Sequence, residues 1–145
     1  MRILIGVDDS AHSNAAIEYV KHAKWPKGTK VFVLSAVRAP VMVNAEVYAP
    51  GPYVSDQAFE EALQYGQELT ARVEQELRAA GFDTEARVVQ GDPRVVIVEV
   101  AREVGADLVV VGSHGRSGLA KLVLGSVAAH VVSHAHCNVL VAKKG

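Results

Sequence analysis

Short aliphatic runs alternate with amphipathic stretches along the whole chain. Residues 2–8 read Arg-Ile-Leu-Ile-Gly-Val-Asp, an aliphatic run ending in acidic residues, as expected for a strand buried on both faces. Ser10 can then cap a helix whose apolar positions Ala15, Ala16, Tyr19, Val20 and Ala23 recur at helical spacing, until Pro26 and Gly28 stop it. A second strand is expected over residues 30–37. Residues 38–54 mix Pro40, Pro50, Gly51 and Pro52 with Val41, Met42, Val43, Val47 and Tyr48. This is a long connection, too apolar for an idle linker, and it suits a lid or a contact surface. From 55 to 80 the spacing of Phe59, Leu63, Gly66, Leu69, Val73 and Leu77 predicts a long helix, with Gly81 at its C-terminal end. A third strand over 84–90 leads into a helix that begins at Asp92-Pro93, Asp92 serving as N-cap, and ends at Gly105. The fourth strand, 107–112, is almost wholly aliphatic. A glycine-rich segment follows to about residue 124, then a helix over 125–135 and a last strand over 138–142.

Strands alternating with helices imply right-handed crossovers and a doubly wound, Rossmann-like parallel sheet with helices on both faces. If the second and third strands lie on one side of the first, and the fourth and fifth on the other, the five-stranded order is 3-2-1-4-5. The winding then reverses between the first and fourth strands, and ligands in open α/β sheets bind beyond the strands' carboxyl ends at such a reversal. Residues 6–10 and 112–118 meet there.

Composition narrows the class. With 145 residues, half of them apolar, the chain is expected to form one domain over residues 1–145 that needs neither metal nor disulfide to fold. Its 15 Lys and Arg against 16 Asp and Glu leave a net charge of -1. With no basic run to neutralise a row of phosphates, nucleic acid is not an expected partner. Cys137 is the single cysteine, which excludes an intrachain disulfide and fits a cytoplasmic setting. No apolar stretch reaches the roughly 18–20 residues of a membrane span, and the first one is too short for a signal peptide.

The glycine-rich segment carries the candidate chemistry. It runs Gly112-Ser113-His114-Gly115-Arg116-Ser117-Gly118, then Leu119 to Leu124, then Gly125-Ser126. Glycines admit positive φ and close ligand approach, and the following helix offers unpaired N–H groups to anionic oxygens. Arg116 and Lys121 add positive charge, and Ser126 can cap the helix and donate to a phosphate. A surface loop with glycines at its turns competes with this reading. Neither a dinucleotide fingerprint after the first strand nor a Walker A loop is present.

The spacing of Gly112, two residues, Gly115, nine residues and Gly125-Ser126 resembles the ATP-binding signature of the universal stress protein family. The resemblance extends to Ile3-Leu4-Ile5-Gly6-Val7-Asp8-Asp9-Ser10, to Gly91-Asp92-Pro93, to 106–115 and to Val139-Leu140-Val141, and so covers nearly the whole chain. It implies a fold of the adenine nucleotide α-hydrolase type and a regulatory, stress-response role with bound ATP. Carried over residue by residue, it implies Asp8 and Ala36 near the adenosine and Val111 and Gly112 at its edge. Gly115, Arg116, Gly125, Ser126 and Val127 would surround the phosphates. It also implies a homodimer through the C-terminal strand, which would cover an apolar sheet edge. Asp8 can accept from a ribose hydroxyl or the adenine amino group and, with Asp9, help hold Mg²⁺ between phosphate oxygens. A strand-end carboxylate that accepts backbone N–H groups explains Asp8 equally well. Where the family often has Gly after the first Asp, this chain has Asp9, a negative charge that opposes a triphosphate; where a proline commonly precedes the last strand, it has Asn138.

Other residues have plainer readings beside the chemical ones. His130, His134, His136 and Cys137 include an i, i+4 histidine pair of metal-site spacing, but histidines near a helix C-terminus are explained as well by the helix dipole, and no metal residue is assigned. No Glu or Gln stands in the glycine segment to position a water, so ATP turnover is expected to be slow or absent, and no catalytic residue is assigned. A slow adenine-nucleotide hydrolase and a ligand-free dimeric interaction module are the alternatives. A phosphoacceptor domain of the receiver type fails because Asp92, before Pro93, begins a helix instead of ending a strand.

Overall fold

A computed structural model describes residues 1–44, 51–116 and 124–145. The elements run β1 (Arg2–Gly6), α1 (Ala11–His22), β2 (Lys30–Val37), β3 (Val41–Asn44), β4 (Gly51–Val54), α2 (Asp56–Ala79), β5 (Asp83–Gln90), α3 (Pro93–Glu103), β6 (Leu108–Gly112), α4 (Ser126–His134) and β7 (Asn138–Ala142). Five strands form a parallel sheet in the order β5-β2-β1-β6-β7. In the five-strand numbering used above this is the expected 3-2-1-4-5 order.

Alternate residues of the central strands enter two cores, which explains why these strands read as unbroken aliphatic runs. Ile3, Ile5 and Val7 face Ala16, Ile17 and Val20 of α1 and Leu69, Val73 and Leu77 of α2. Leu4, Val109 and Val111 face the other way, onto Val96, Ile97, Val100 and Ala101 of α3 and Ala128 and Val131 of α4. Ile3, Leu4, Ile5, Val109 and Val110 are wholly buried, each contributing about 1.5–3 kcal/mol of transfer free energy. Helix α2 comes close enough to the sheet for a Cβ at Gly66 to stand 3.0 Å from Val37 Cγ2 and 3.2 Å from Val88 Cγ1. Gly66 is thus a close-approach position between α2, β2 and β5.

Local signals placed most element ends. Ser10 and Ser55 cap α1 and α2 by accepting from Ser13 N and Ala58 N, and Asp92 caps α3 ahead of Pro93. Gly81 and Gly105 follow α2 and α3 at φ of +93° and +60°, where a glycine avoids the left-handed penalty. Helix α1 stops at His22, short of Pro26, and its last turn is closed by Ala23 N donating to Tyr19 O. Within 38–54, strands β3 and β4 pair antiparallel in register Val41↔Val54 to Asn44↔Gly51. The sequence reading had no strands there; residues 45–50 of that connection lie outside the described residues. Pro52 is compatible with β4 because a two-stranded sheet has only edge strands. Among the described residues, no helix is long and apolar enough to cross a membrane.

Candidate functional site

The carboxyl ends of β1, β2 and β6 and the starts of α1, α3 and α4 surround one cavity of about 440 Å³. Asp8, Ala36, Val111, Gly112, Gly115, Arg116, Gly125, Ser126 and Val127, the nine residues named from the sequence, all line it. It sits between β1 and β6, where the winding of the sheet reverses. Leu34, Ala36, Ile97, Val111 and Val127 give one part an apolar wall, bordered by Pro93 and Arg38. Arg38 Nη2 donates to Asp92 Oδ1 at 2.8 Å, and Arg94 donates to both Asp92 oxygens. The side chain and backbone N–H of Arg94, then Arg38, hold the Asp92 carboxyl well below the usual carboxylate range.

The other part of the cavity is polar and follows from how α4 begins. Its N-cap is Gly125, with no side-chain capping bond, and Ser126 is the first helical residue. The Ser126 hydroxyl therefore does not cap this helix, contrary to the sequence reading: the chain enters α4 through an extended glycine. Gly125 N donates to Ser113 O at 2.7 Å, tying the start of α4 to the end of β6. In an α-helix the N–H groups of the next three residues have no partner within the helix. Here those residues are Ser126, Val127 and Ala128, and all three line the cavity. Such N–H groups, with the positive end of the helix dipole behind them, favour negative charge.

Asp8 takes the structural role weighed for it, as a strand-end carboxylate that accepts a backbone N–H, and it also lines the cavity. Its backbone N–H donates to Ser13 Oγ at 3.0 Å, and its Oδ1 accepts from Ser10 N at 2.8 Å. Its Oδ2 lies where a Cβ on Gly115 would come within 3.1 Å. One oxygen is thus occupied by the turn, while the side chain still forms part of the cavity wall. Asp9 is not among the lining residues. Its Oδ2 accepts from the Tyr65 phenol of α2 at 3.0 Å, and its Oδ1 is 3.3 Å from Arg116 Nε. The hydrogen bond to Asp9 pushes the Tyr65 phenol up from its ordinary value.

The glycines serve close approach and not special dihedrals, since Gly112, Gly115 and Gly125 are not among the glycines at positive φ. A Cβ on Gly112 would stand 2.7 Å from the backbone carbon of His12, and one on Gly125 would stand 3.1 Å from Ser113 O and 3.2 Å from His114 Cα. Of the three, Gly115 is the one whose Cβ would press on a cavity side chain. Gly118 and Lys121 lie outside the described residues.

A polar relay that the sequence reading missed stands behind the glycine segment. Ser113, almost fully buried, places its Oγ 3.0 Å from His12 Nδ1 and 3.1 Å from His114 Nδ1. Lys144 N also reaches His12 Nδ1, at 3.3 Å. A backbone N–H only donates, so His12 Nδ1 accepts from Lys144 N, while the directions of the two Ser113 contacts follow from the tautomers of the two rings. His12 and His114 are 102 positions apart, and no local spacing announces their meeting.

The histidines of α4 are arranged differently. His130 and His134 stack with ring centroids 3.9 Å apart, and His134 Nδ1 lies 2.9 Å from His130 O. Among the described residues, no three of His, Cys, Asp or Glu are grouped as a metal ion would need. Burial, then Asp107, pushes the Cys137 thiol up, the opposite of what a reactive thiolate requires.

The family model described as universal stress protein family matches residues 1–143. Universal stress protein MJ0531 of Methanocaldococcus jannaschii is 32% identical over 143 residues, covering 99% of this chain and 82% of that protein. The solved structure of hypothetical protein MJ0577 superposes with a TM-score of 0.76 at 27% identity, covering 99% of this chain and 96% of the other. A universal stress protein solved in complex with cAMP superposes with a TM-score of 0.70 at 28% identity, covering 99% and 96%.

Proposed function

The chain belongs to the universal stress protein family, and from that premise we propose that it is a regulatory, stress-response protein that works by binding adenine nucleotide. The ligand is ATP, with adenosine against the apolar wall and phosphates over Gly115, Arg116 and the start of α4. The observation that carries this reading is the opening of Ser126, Val127 and Ala128 onto the cavity behind an uncapped Gly125. Helices elsewhere in this chain satisfy one of their first N–H groups with Ser10, Ser55 or Asp92; α4 keeps its own for a ligand. The cAMP bound by the 28% identical relative supports an adenine nucleotide in particular.

Within this reading Asp8 accepts from the nucleoside sugar or base through the oxygen the turn leaves available. The same carboxylate fits Mg²⁺, which is commonly held by one or two carboxylates together with substrate phosphates. Asp9, turned to Arg116 and Tyr65, is outside that set. The cation would screen phosphate charge. No residue is assigned to hydrolysis, and the output is a nucleotide-dependent change in subunit or partner contacts. The setting is cytoplasmic, and residues 1–145 act as one nucleotide-binding domain. The second subunit is another copy of this chain joined at β7, an edge strand whose Val139, Leu140 and Val141 leave one side of the ladder unpaired.

Native mass spectrometry of the purified protein tests nucleotide and dimer together. Two chains with retained adenine nucleotide are expected; a bare single chain that takes up no ATP on addition overturns the proposal. A second result assigns the phosphate end: Arg116→Gln should weaken ATP about tenfold by calorimetry, as loss of a charge-assisted contact does, and leave adenosine nearly unchanged. Equal losses for both would place Arg116 elsewhere.

A further inference from the structure

We propose that Asp9, positioned by Tyr65, is a charge selector that lowers nucleotide affinity in step with the number of phosphate charges. The inference rests on the adenine-nucleotide reading of the cavity and adds to it which nucleotides the site favours. Three observations carry it. Arg116 is the cation of the polar part of the cavity among the described residues, and its Nε lies 3.3 Å from Asp9 Oδ1. The other Asp9 oxygen is tied to Tyr65 on α2, so the carboxylate is anchored from a different element than the loop it faces. Asp8, a second carboxylate, already stands in the wall.

Asp9 acts in two ways. It competes with a phosphate for Arg116, and its own negative charge repels each phosphate oxygen that approaches. The competition is mild, because the Arg116 side chain is 68% exposed and a solvent-exposed pair is weak. Arg116 can leave Asp9 for a phosphate, but the carboxylate charge stays beside the site. Repulsion between charges grows with the charge on the ligand. A singly charged cyclic phosphodiester therefore feels Asp9 least, AMP more, and ATP most. The site keeps ATP as a ligand but trims the advantage that a chain of phosphates would otherwise gain from the helix start.

Calorimetry with cAMP, AMP, ADP and ATP, without Mg²⁺, on wild type, Asp9→Asn and Asp9→Glu tests this. Asp9→Asn should tighten ATP about fivefold to tenfold and cAMP about twofold or less, with AMP and ADP between, and the differences should shrink from about 0.05 to 0.5 M salt. Asp9→Glu, which keeps the charge, should retain the wild-type ladder. A merely structural role for Asp9, such as a charge ahead of the first turn of α1, would move the melting temperature and leave the ladder unaltered. A uniform change across the four ligands overturns the selector and leaves the nucleotide site standing. Failure of every nucleotide to bind both wild type and Asp9→Asn overturns the site itself, and the selector with it.

Discussion

Gly115→Val is expected to remove adenine-nucleotide binding while the protein stays folded. A Cβ at 115 would come within 3.1 Å of Asp8 Oδ2, tighter than ordinary van der Waals contact. Asp8 has little freedom to retreat, since its Oδ1 is held by Ser10 N and its backbone by Ser13. The two further methyl groups of valine would crowd the polar part of the cavity beside Arg116. Residue 115 follows the last strand residue of β6 by three positions and belongs to neither hydrophobic cluster. A loss of about 100-fold or more in ATP affinity, roughly 2.7 kcal/mol or more, is expected by calorimetry, with the thermal midpoint nearly unchanged. ATP bound with wild-type affinity would show that the ligand lies elsewhere. Gly115→Ala should fall between the two, because a single methyl asks Asp8 to give by only a few tenths of an ångström.

The parts of this protein that were legible in its sequence are those that local chemistry determines. Strands β2 and β7 and helix α2 lie where aliphatic runs, Ser55 and Gly81 place them, because a cap, a glycine and a periodic face act within a few residues. Alternation and handedness gave a doubly wound sheet. The strand order rested on the added supposition that the second and third strands lie on one side of the first and the fourth and fifth on the other, which is the observed arrangement. What was not legible depends on approach between distant segments. Strands β3 and β4 were hidden by Pro40, Pro50 and Pro52, which argue against a central strand but permit a two-stranded hairpin. Arg38 and Ile97 reach the cavity through the packing of β2 and α3, and Tyr65 reaches Asp9 across 56 positions. Gly112 was read as a ligand-edge residue. It does line the cavity, yet the reason it must be glycine lies on the opposite side, against α1.

That second role makes Gly112→Val the substitution with the largest expected effect on stability. Its Cβ would stand 2.7 Å from His12 C, 2.9 Å from His12 O and 2.9 Å from His12 Cβ. Backbone is set against backbone, and neither side can yield cheaply. His12 is in the first turn of α1, locked by the Ser10 cap and by Asn14 N donating to Ser10 O. Gly112 ends β6 in register with Ala142 of β7, and Ser113 N donates to Ala142 O at 2.7 Å. Relief would require shifting α1 away from the sheet, where Ala16, Ile17 and Val20 form much of one core. Gly112→Ala is expected to cost about 1–3 kcal/mol through overpacking, and Gly112→Val more than that. For a chain of this size each kcal/mol lowers the midpoint by about 2–4 °C, so the alanine variant should melt several degrees early and the valine variant should accumulate poorly. Saturating ATP separates this mechanism from that of Gly115. A ligand that binds only the native state raises the midpoint by mass action, so ATP should partly restore Gly112→Ala, whose site is displaced but not blocked, and should leave the midpoint of Gly115→Val where it was. A Gly112→Ala protein that melts with the wild type would show that α1 and β6 do not approach this closely.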